Sequence, residues 1–310
     1  MAVRIAVLIP CHDEAATIAQ VVADFRAALP AARVWVYDNN STDETAARAR
    51  AAGAVVRGAP LRGKGNVVRR MFADVEADVY VLADGDGTYD AAAAPMLVAR
   101  LLHETLDRVS GARVSDEAKA FRAGHRFGNR ALSGMVRQVF GRRFTDVLTG
   151  YRVLSRRFVK SFPAHSRGFE IETELTVHTL QMRLPAAEVE TTYGARPDGS
   201  TSKLNTVRDG LRIAGMIGLL VREERPLQFF GLAGLVALLL SAALAAPVMI
   251  EYLHTGLVPR YPSLIVSVFL ALVAMLSFTC GLVLDTVSRA RREQRHLAYL
   301  ALAAPGAPSS

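Results

Sequence analysis

The residues best suited to chemistry in this chain are the two carboxylates of the triplet Asp84-Gly85-Asp86. They follow an apolar run at residues 79–83, which predicts a buried strand. Two carboxylates so close together repel each other unless a positive charge lies between them. Mg²⁺ or Mn²⁺ supplies that charge and keeps further positions for water and substrate phosphates. The triplet therefore indicates a metal-assisted site for a phosphorylated substrate, with a surface turn as the alternative, because Asp-Gly is also common in turns.

Two further polar motifs also follow predicted strands. Residues 10–14 come after the apolar run 5–9, and residues 38–43 come after the apolar run 34–37. Asp38 is the better ligand candidate of the second motif, because it lies nearest to the strand end and can accept hydrogen bonds from a base or a ribose. Asp43 has a structural alternative, which is to cap the helix that follows.

Strand and helix patterns alternate over the first 110 residues. Ser41 with Glu44 predicts a capping box at the start of one of the helices. The alternation predicts an α/β fold with a parallel sheet and helices on both faces, and such sheets bind ligands at the carboxyl ends of their strands. Besides the strands above, we predict helices at 15–29, 41–52, 65–75, 125–140 and 172–182, and strands at 54–56, 149–154 and 186–192.

A glycine-rich segment at residues 58–65 resembles a phosphate-binding P-loop without matching it. Gly65 replaces the hydroxyl residue that would bind magnesium, and the segment does not follow the first strand. Lys64 is nevertheless placed to reach a diphosphate. The sequence has no G-x-G-x-x-G motif, which argues against a dinucleotide-dependent enzyme.

The middle of the chain is strongly basic. Most of these side chains are expected to form a solvated helix face, but arginine suits bidentate recognition of phosphate, so we expect some of them to bind a phosphate group arriving from a membrane. The basic residues are Arg113, Lys119, Arg122, Arg126, Arg130, Arg137, Arg142 and Arg143.

Three glutamates, Glu170, Glu172 and Glu174, are crowded at the start of a predicted helix. Carboxylates are favoured there by the helix dipole, which is sufficient to explain them. At least one of the three is also a candidate to face the active site.

The hydrophobic fraction of 51% is concentrated near the end of the chain. Residues 229–250 and 263–284 are each about 22 residues long and nearly free of charge, and a helix needs roughly 20 residues to cross a bilayer. We therefore predict two membrane spans. Arginines flank the pair on both sides, so the positive-inside rule predicts cytosolic flanks and an external link.

Several features indicate that the remainder of the chain works at the cytosolic membrane surface. The N-terminal apolar run is too short for a signal peptide. Residues 204–221 combine apolar side chains with arginines, as in a helix that lies in the membrane interface. The net charge of +8 suits an anionic membrane, whereas the absence of interleaved aromatic and basic residues argues against nucleic acid as a partner.

As an ordered set, the motifs resemble those of family 2 glycosyltransferases with the GT-A fold. More narrowly, they resemble polyprenyl-phosphate sugar transferases, which are related to dolichol-phosphate mannose synthase and the bacterial bactoprenol glucosyltransferases. The resemblance covers roughly residues 4–225 and extends to the two spans. The matching motifs are Ile9-Pro10 with Glu14, Asp38-Asn39-Asn40-Ser41-Thr42-Asp43, Arg62-Gly63-Lys64-Gly65-Asn66, Asp84-Gly85-Asp86, Asp146 to Arg152, and Ser202-Lys203-Leu204.

The resemblance implies a role for each matching position. Asp84 and Asp86 would bind Mg²⁺ or Mn²⁺ and act in catalysis, with Asp146 as an outside candidate for a general base. Glu174 resembles a glutamate that the family carries on this helix. The implied donor-binding residues are Pro10, Glu14, Asp38, Asn40, Lys64 and Asp84. The implied acceptor-phosphate residues are Arg113, Arg126, Arg152, Arg196 and Lys203.

The implied reaction is a single displacement. A lipid phosphate attacks the anomeric carbon of the sugar, the nucleoside diphosphate leaves, and the anomeric centre inverts. The metal and Lys64 would stabilise the charge on the leaving group. A phosphate monoester with a second pKa of about 6 is already largely ionised at pH 7, so positioning should count for more than a general base.

Three departures from the family pattern bear on the donor. Asn39 stands where many members have a second aspartate, and Asp13 replaces the usual asparagine. Thr88 stands where dolichol-phosphate mannose synthases have a glutamine near the metal. The resemblance therefore favours a UDP-sugar as the donor, with GDP-mannose as the alternative.

The predicted organisation follows from the motifs and the spans. The product would be a polyprenyl-phosphate sugar for cell-envelope glycan or glycoprotein assembly, made at the inner membrane by an enzyme with cytosolic termini. A homo-oligomer is compatible with the sequence. The predicted segments are a catalytic GT-A domain at 1–202, a juxtamembrane amphipathic helix at 203–226, a two-helix transmembrane region at 227–288, and a basic tail at 289–310.

Three rival functions make different demands on the sequence. A processive polysaccharide synthase carries a Gln/Arg-x-x-Arg-Trp motif, and the only tryptophan here is Trp35, in an early strand. A non-catalytic membrane scaffold would not need Asp84 and Asp86. A glycosyltransferase acting on a protein or a soluble sugar would have no use for the spans.

Overall fold

The computed structural model describes residues 3–114, 144–194 and 225–305, together with positions 215, 218 and 222. The predicted helix at 125–140 and most of the predicted helix at 204–221 therefore lie outside the described residues. The described part contains one seven-stranded sheet. Its strands are β1 (Ile5–Cys11), β2 (Arg33–Asp38), β3 (Val55–Gly58), β4 (Val79–Leu82), β5 (Arg108–Val114), β6 (Arg152–Ser155) and β7 (Ala186–Thr192).

The sheet has the order β3-β2-β1-β4-β6-β5-β7. Only β6 runs against its neighbours, since it pairs antiparallel with both β4 and β5. This arrangement confirms the predicted GT-A-type α/β fold. It also places β1 between β2 and β4, so that the three polar motifs following these strands meet at one edge of the sheet.

Side chains alternate in direction along each strand, so the strands present apolar residues on both faces of the sheet. Helices cover both of these faces. In β1, Val7 and Ile9 belong to one apolar core and Ala6 and Leu8 to the other. The helices around the sheet are α1 (Ile18–Ala28), α2 (Thr45–Ala51), α3 (Lys64–Asp74), α4 (Ala94–His103), α5 (Arg156–Ser161) and α6 (Ile171–Gln181).

The predicted capping box at the start of α2 is wrong. The helix begins at Thr45, and Asp43 rather than Ser41 binds its first turn, with its Oδ1 accepting from the Thr45 N–H at 2.9 Å. Ser41 is used across the loop instead, where its Oγ accepts from the backbone N–H of Asp13 at 2.9 Å. The Oγ of Ser41 therefore binds the neighbouring loop rather than the first turn of α2.

The chain divides into two compact units, of which the second covers Gly215–Gln294. It contains most of two helices, α7 (Pro226–Thr255) and α8 (Tyr261–Leu300), both long and apolar enough to cross a membrane. Their contact is made by small residues, which let the helix backbones approach closely. Ser241 of α7 donates a 2.7 Å hydrogen bond to the carbonyl of Ser267, and Gly234 lies against Ala274 and Phe278.

The first unit contains the sheet together with the end of the chain from Arg295 onwards. Tyr299 makes this connection, since only 8% of it is exposed and its hydroxyl donates to Asp107 at 2.7 Å. Asp107 is fully buried and also accepts from the Nε of Arg157 at 2.5 Å. The guanidinium of Arg157 lies 4.6 Å from the centre of the Tyr299 ring. The end of α8 is therefore part of the fold of the first unit.

Tyr299→Phe is expected to lower the free energy of unfolding of the first unit by about 2 kcal/mol, because a buried carboxylate loses a hydrogen bond. The measurement is urea unfolding of the detergent-solubilised protein, followed by the fluorescence of the single tryptophan, Trp35, in β2. Tyr252→Phe, at an exposed position of α7, is the matched control. Equal stability of the two variants would contradict the anchoring role of Tyr299.

Candidate active site

A cleft opens at the carboxyl ends of β1, β2 and β4. All three polar motifs contribute to it, as their shared position at the strand ends predicts. The α3 helix start and the residue Phe169 form its other walls. The cleft is lined by Pro10, Cys11, His12, Glu14, Asn39, Arg62, Gly63, Lys64, Val67, Asp84, Gly85, Asp86 and Phe169.

The acidic pair forms part of the cleft wall directly after β4. Asp86 is 4% exposed, and its Oδ1 accepts from the hydroxyl of Thr88 at 2.6 Å. Gly85 between the two acids lies so close to β1 that an added Cβ would be 2.6 Å from the Sγ of Cys11. The glycine therefore allows the acidic turn to pack directly on the floor of the cleft.

Lys64, the first residue of α3, lies between two carboxylates. Its ammonium forms ion pairs with Asp84 and with the Oε1 of Glu172, the latter at 2.5 Å. Burial lowers the pKa of Lys64, but the charges of Asp84 and Glu172 outweigh burial and raise that pKa above its ordinary value. The site therefore contains a permanent, nearly buried positive charge beside the acidic pair.

Two glycines allow a neighbouring loop to close over the start of α3. Gly63 has a φ of +113°, and its Cα lies against the carbonyl of Arg167. Gly65 lies against the carbonyl of Ser166 and donates its N–H to the carbonyl of Gly168 at 3.1 Å. A side chain at either position would collide with this loop backbone, which explains the Gly-Lys-Gly spacing in a chain that has no P-loop.

Glu174 stabilises the segment that leads into this loop through two backbone hydrogen bonds. Its carboxylate accepts the backbone N–H groups of His165 and Ser166, both at 2.8 Å. The contact with Lys64 is made instead by Glu172, which sequence reasoning did not select from the three crowded glutamates. Residues two positions apart on a helix point to different sides, so the pattern itself indicated that these two would have different surroundings.

Asn39 also lines the cleft and holds the loop that leads to Lys64. Its Nδ2 donates to the carbonyls of Ala59 and Leu61 at 2.7 and 2.8 Å, and its Oδ1 accepts from the N–H of Gly63 at 2.8 Å. An aspartate could not make the two donor contacts. The departure from the family pattern at this position therefore has a structural reason, which is the loop leading to Lys64.

The two other donor-binding candidates of this motif lie beside Asn39. Asp38 ends β2, and its Oδ1 accepts from the N–H of Ser41 at 3.2 Å. Asn40 adopts a left-handed backbone with a φ of +60° and donates its Nδ2 to the carbonyl of Pro60 at 3.0 Å. Neither lines the cleft as Pro10, Glu14 and Lys64 do, so their donor contacts stay predictions.

Arg113, a predicted acceptor-phosphate residue, is bound to Asp146, the outside candidate for a general base. The Nε and Nη2 of Arg113 donate to the two carboxylate oxygens of Asp146, at 2.7 and 2.8 Å. Because this carboxylate carries a bidentate arginine, it is held as an anion in a fixed orientation. The base role of Asp146 and the acceptor role of Arg113 stay predictions.

Arg152 lies inside the protein, with no exposed surface. Its Nη2 donates to the carbonyls of Val147 and Glu172 at 3.0 and 2.7 Å, and it lies 3.3 Å from the Glu172 carboxylate. This burial favours support of Glu172 over direct contact with an acceptor. The other acceptor-side candidates, Arg126, Arg196 and Lys203, lie outside the described residues.

The residues of the cleft fit a divalent cation that is shared with a substrate. Asp84 and Asp86 both line the cleft, and carboxylate oxygens are the hard donor atoms that such a cation prefers. Within the described ranges, no group of three or more His, Cys, Asp or Glu side chains is arranged to hold a metal alone. Mg²⁺ is commonly bound by one or two carboxylates, with water and substrate phosphates completing its coordination, and the acidic pair matches that pattern.

Comparison with known proteins identifies the family. Residues 6–162 match the family model for Glycosyl transferase family 2. The chain belongs to this family. It is 36% identical over 250 residues to Glycosyltransferase AglJ of Haloferax volcanii, which covers 80% of this chain and 82% of that protein. It is 26% identical over 221 residues to the Dolichyl-phosphate hexose transferase of the same organism, covering 71% and 95% of the two chains.

Solved structures show the same fold. Glucosyl-3-phosphoglycerate synthase from Mycobacterium tuberculosis, in complex with Mn²⁺, UDP-glucose and phosphoglyceric acid, is 25% identical with a TM-score of 0.58. The alignment covers 70% of this chain and 80% of that one. The family and the fold establish this protein as a GT-A glycosyltransferase, an enzyme that uses a nucleotide sugar.

Gly150→Ala is expected to reduce glycosyl transfer about 100-fold, because small displacements of catalytic groups are costly. An added Cβ would lie 2.6 Å from the Oδ2 of Asp84 and 3.2 Å from the Nζ of Lys64, so both side chains must move. The measurement is the initial rate of sugar transfer, with circular dichroism as the test of folding.

Gly58→Ala is the matched control for this prediction, because an added Cβ at the end of β3 meets nothing within 4 Å. It is expected to retain activity. Full activity of the Gly150→Ala variant would contradict the assigned packing of Asp84 and Lys64.

Proposed function

We propose that this glycosyltransferase moves a sugar from a UDP-sugar to a polyprenyl phosphate at the cytoplasmic face of the membrane. The observation that carries the proposal is the combination, in one chain, of the Lys64–Asp84–Asp86 cleft with two helices long enough to span a bilayer. A soluble acceptor would give the apolar helices no purpose. The name of the Dolichyl-phosphate hexose transferase among the relatives supports a lipid phosphate as the acceptor.

The choice of donor rests on the surroundings of the acidic pair. A structural neighbour has been solved with UDP-glucose and Mn²⁺, and its chain aligns over most of this one. Thr88, which favours the UDP-sugar prediction, donates directly to Asp86 and is 2% exposed. A larger side chain at this buried position would have to displace the carboxylate. GDP-mannose is the alternative donor.

The proposed mechanism uses the charges already present in the cleft. Asp84 and Asp86 would hold Mg²⁺ or Mn²⁺, which as a Lewis acid stabilises charge on a diphosphate leaving group. Lys64 offers a second, fixed positive charge on the same side. Stabilisation of the departing nucleoside diphosphate by Lys64 lowers the barrier to attack by the lipid phosphate on the anomeric carbon.

The acceptor side of the mechanism requires positioning more than proton transfer. A lipid phosphate is already ionised near neutral pH, so it needs no strong base. We therefore infer that Asp146 serves to orient Arg113 towards the acceptor phosphate. Arg126, Arg196 and Lys203 are proposed as further acceptor-phosphate residues on the basis of the family resemblance.

The proposed topology is a hairpin of two spans with both ends in the cytosol. Positive residues flank the spans on both sides, as the positive-inside rule requires. Residues up to Ala214 and residues from Arg295 onwards belong to one compact unit, in which Tyr299 and Asp107 form a hydrogen bond. A chain that leaves a unit and returns to it crosses the membrane an even number of times.

Purified protein in polyprenyl-phosphate-containing membranes is expected to label the lipid with sugar from a UDP-sugar in a panel of radiolabelled UDP- and GDP-sugars. Asp84→Asn and Asp86→Asn should each reduce this labelling by about 1,000-fold, because each removes charge from the proposed metal site. Asp24→Asn, on the exposed face of α1, is the control.

Labelling from GDP-mannose alone would overturn the UDP-sugar assignment. Transfer to a soluble acceptor with no labelled lipid would overturn the acceptor assignment. Undiminished transfer by both aspartate variants would refute the metal-assisted mechanism.

Single cysteines test the topology in a Cys280→Ala background, with Cys11 left in its buried position. In intact cells, a membrane-impermeant maleimide is expected to label Leu257→Cys, in the link between α7 and α8. Ala301→Cys should react only after permeabilisation. The reverse pattern of labelling would place the active site outside the cytosol.

A further inference from the structure

We infer that Glu172 is a positioning residue that holds Lys64 at the donor diphosphate. This inference rests on the proposed use of Lys64 for the nucleotide sugar and adds a residue that no sequence motif assigned to the site. Glu172 does not line the cleft. It acts through its ion pair with the ammonium group of Lys64, which lines the cleft.

The first argument is the geometry of the pair. Glu172 is 4% exposed, and its two carboxylate oxygens face different cations, with Oε1 2.5 Å from the Nζ of Lys64 and Oε2 3.3 Å from the Nη2 of Arg152. Neither oxygen accepts a hydrogen bond of good geometry from the described residues. The carboxylate is thus held between the two positive charges, which fixes the distance of Lys64 from the interior.

The second argument is charge balance around the buried cations. Arg108 and Arg152 are both fully buried, and they lie in the adjacent strands β5 and β6. Their positive charges make a further buried cation, such as the ammonium of Lys64, less favourable. The guanidinium of Arg108 is satisfied by neutral partners, namely the hydroxyls of Ser110, Thr176 and Thr179. Glu172 is therefore the anion that offsets Lys64 on its interior side.

The third argument concerns what happens when Asp84 is engaged. In the structure Lys64 has two anionic partners, Asp84 and Glu172. A divalent cation on Asp84 would take up much of the negative charge of that carboxylate and would itself repel the ammonium. Glu172 would then be the remaining partner that keeps the ammonium of Lys64 in place, and the position of Glu172 is secured in turn by Arg152.

A double-mutant cycle on UDP binding tests the inference. Affinity for UDP in the presence of Mn²⁺ is measured by calorimetry for the full-length protein in detergent and for Lys64→Met, Glu172→Gln and the double variant. We expect each single variant to bind UDP about tenfold more weakly, and the double variant to be no weaker than Lys64→Met alone, because coupled residues are not additive.

The cycle separates a positioning role from a structural one. If Glu172 only supports the fold, its substitution will weaken binding to the same extent with or without Lys64, and the inference fails. Glu172→Asp keeps the charge and is expected to bind UDP more tightly than Glu172→Gln. It also takes the place of Glu172→Gln in the cycle should that variant not fold. Glu104→Gln, on the surface and paired with Arg100, is the control with unchanged affinity.

The same measurements distinguish this inference from the proposed function. If the unmodified protein binds neither UDP nor any other nucleoside diphosphate, the proposed donor site is wrong. If it binds UDP normally but the cycle is additive, only the role of Glu172 is overturned.

Discussion

The interaction on which the site depends is the ion pair of the nearly buried Lys64 side chain with two carboxylates. The Lys64 side chain is 9% exposed, so its charged ammonium would carry a large desolvation cost if it had no partner. The negative charges of Asp84 and Glu172 offset that cost. The three residues come from the start of α3, the segment after β4 and the first turn of α6. These three elements must therefore be correctly packed before the ammonium of Lys64 can take its position. The charge arrangement in the cleft therefore depends on three elements rather than on one loop.

The remaining features of the site serve to bring these charges together. Gly63 and Gly65 let the loop at 166–168 lie directly on α3, and Asn39 fixes the approach to Lys64 with three hydrogen bonds. Gly150 leaves room for Asp84 where any side chain would displace it. Small residues at these points carry no chemistry, yet they determine the distances at which the charged residues act.

The sequence predicts most of the sheet, because short apolar runs indicate buried strands. It also predicts the location of the site, because the carboxyl ends of parallel strands lie at one edge of the sheet. It does not predict β5 (Arg108–Val114), whose first residue places an arginine in the buried part of the sheet. It also does not distinguish Glu172 from Glu174, since which side of a helix faces the site depends on tertiary packing. The pairing of Arg113 with Asp146 joins residues 33 positions apart and leaves no local signal.

The most direct test of the account is a structure of the protein with UDP and Mn²⁺, with the metal located by its anomalous scattering. The account predicts one Mn²⁺ within bonding distance of Asp84, Asp86 and a diphosphate oxygen, with the ammonium of Lys64 against the diphosphate. A nucleotide bound away from the strand ends, or an occupied nucleotide site with no ion at the acidic pair, would contradict it.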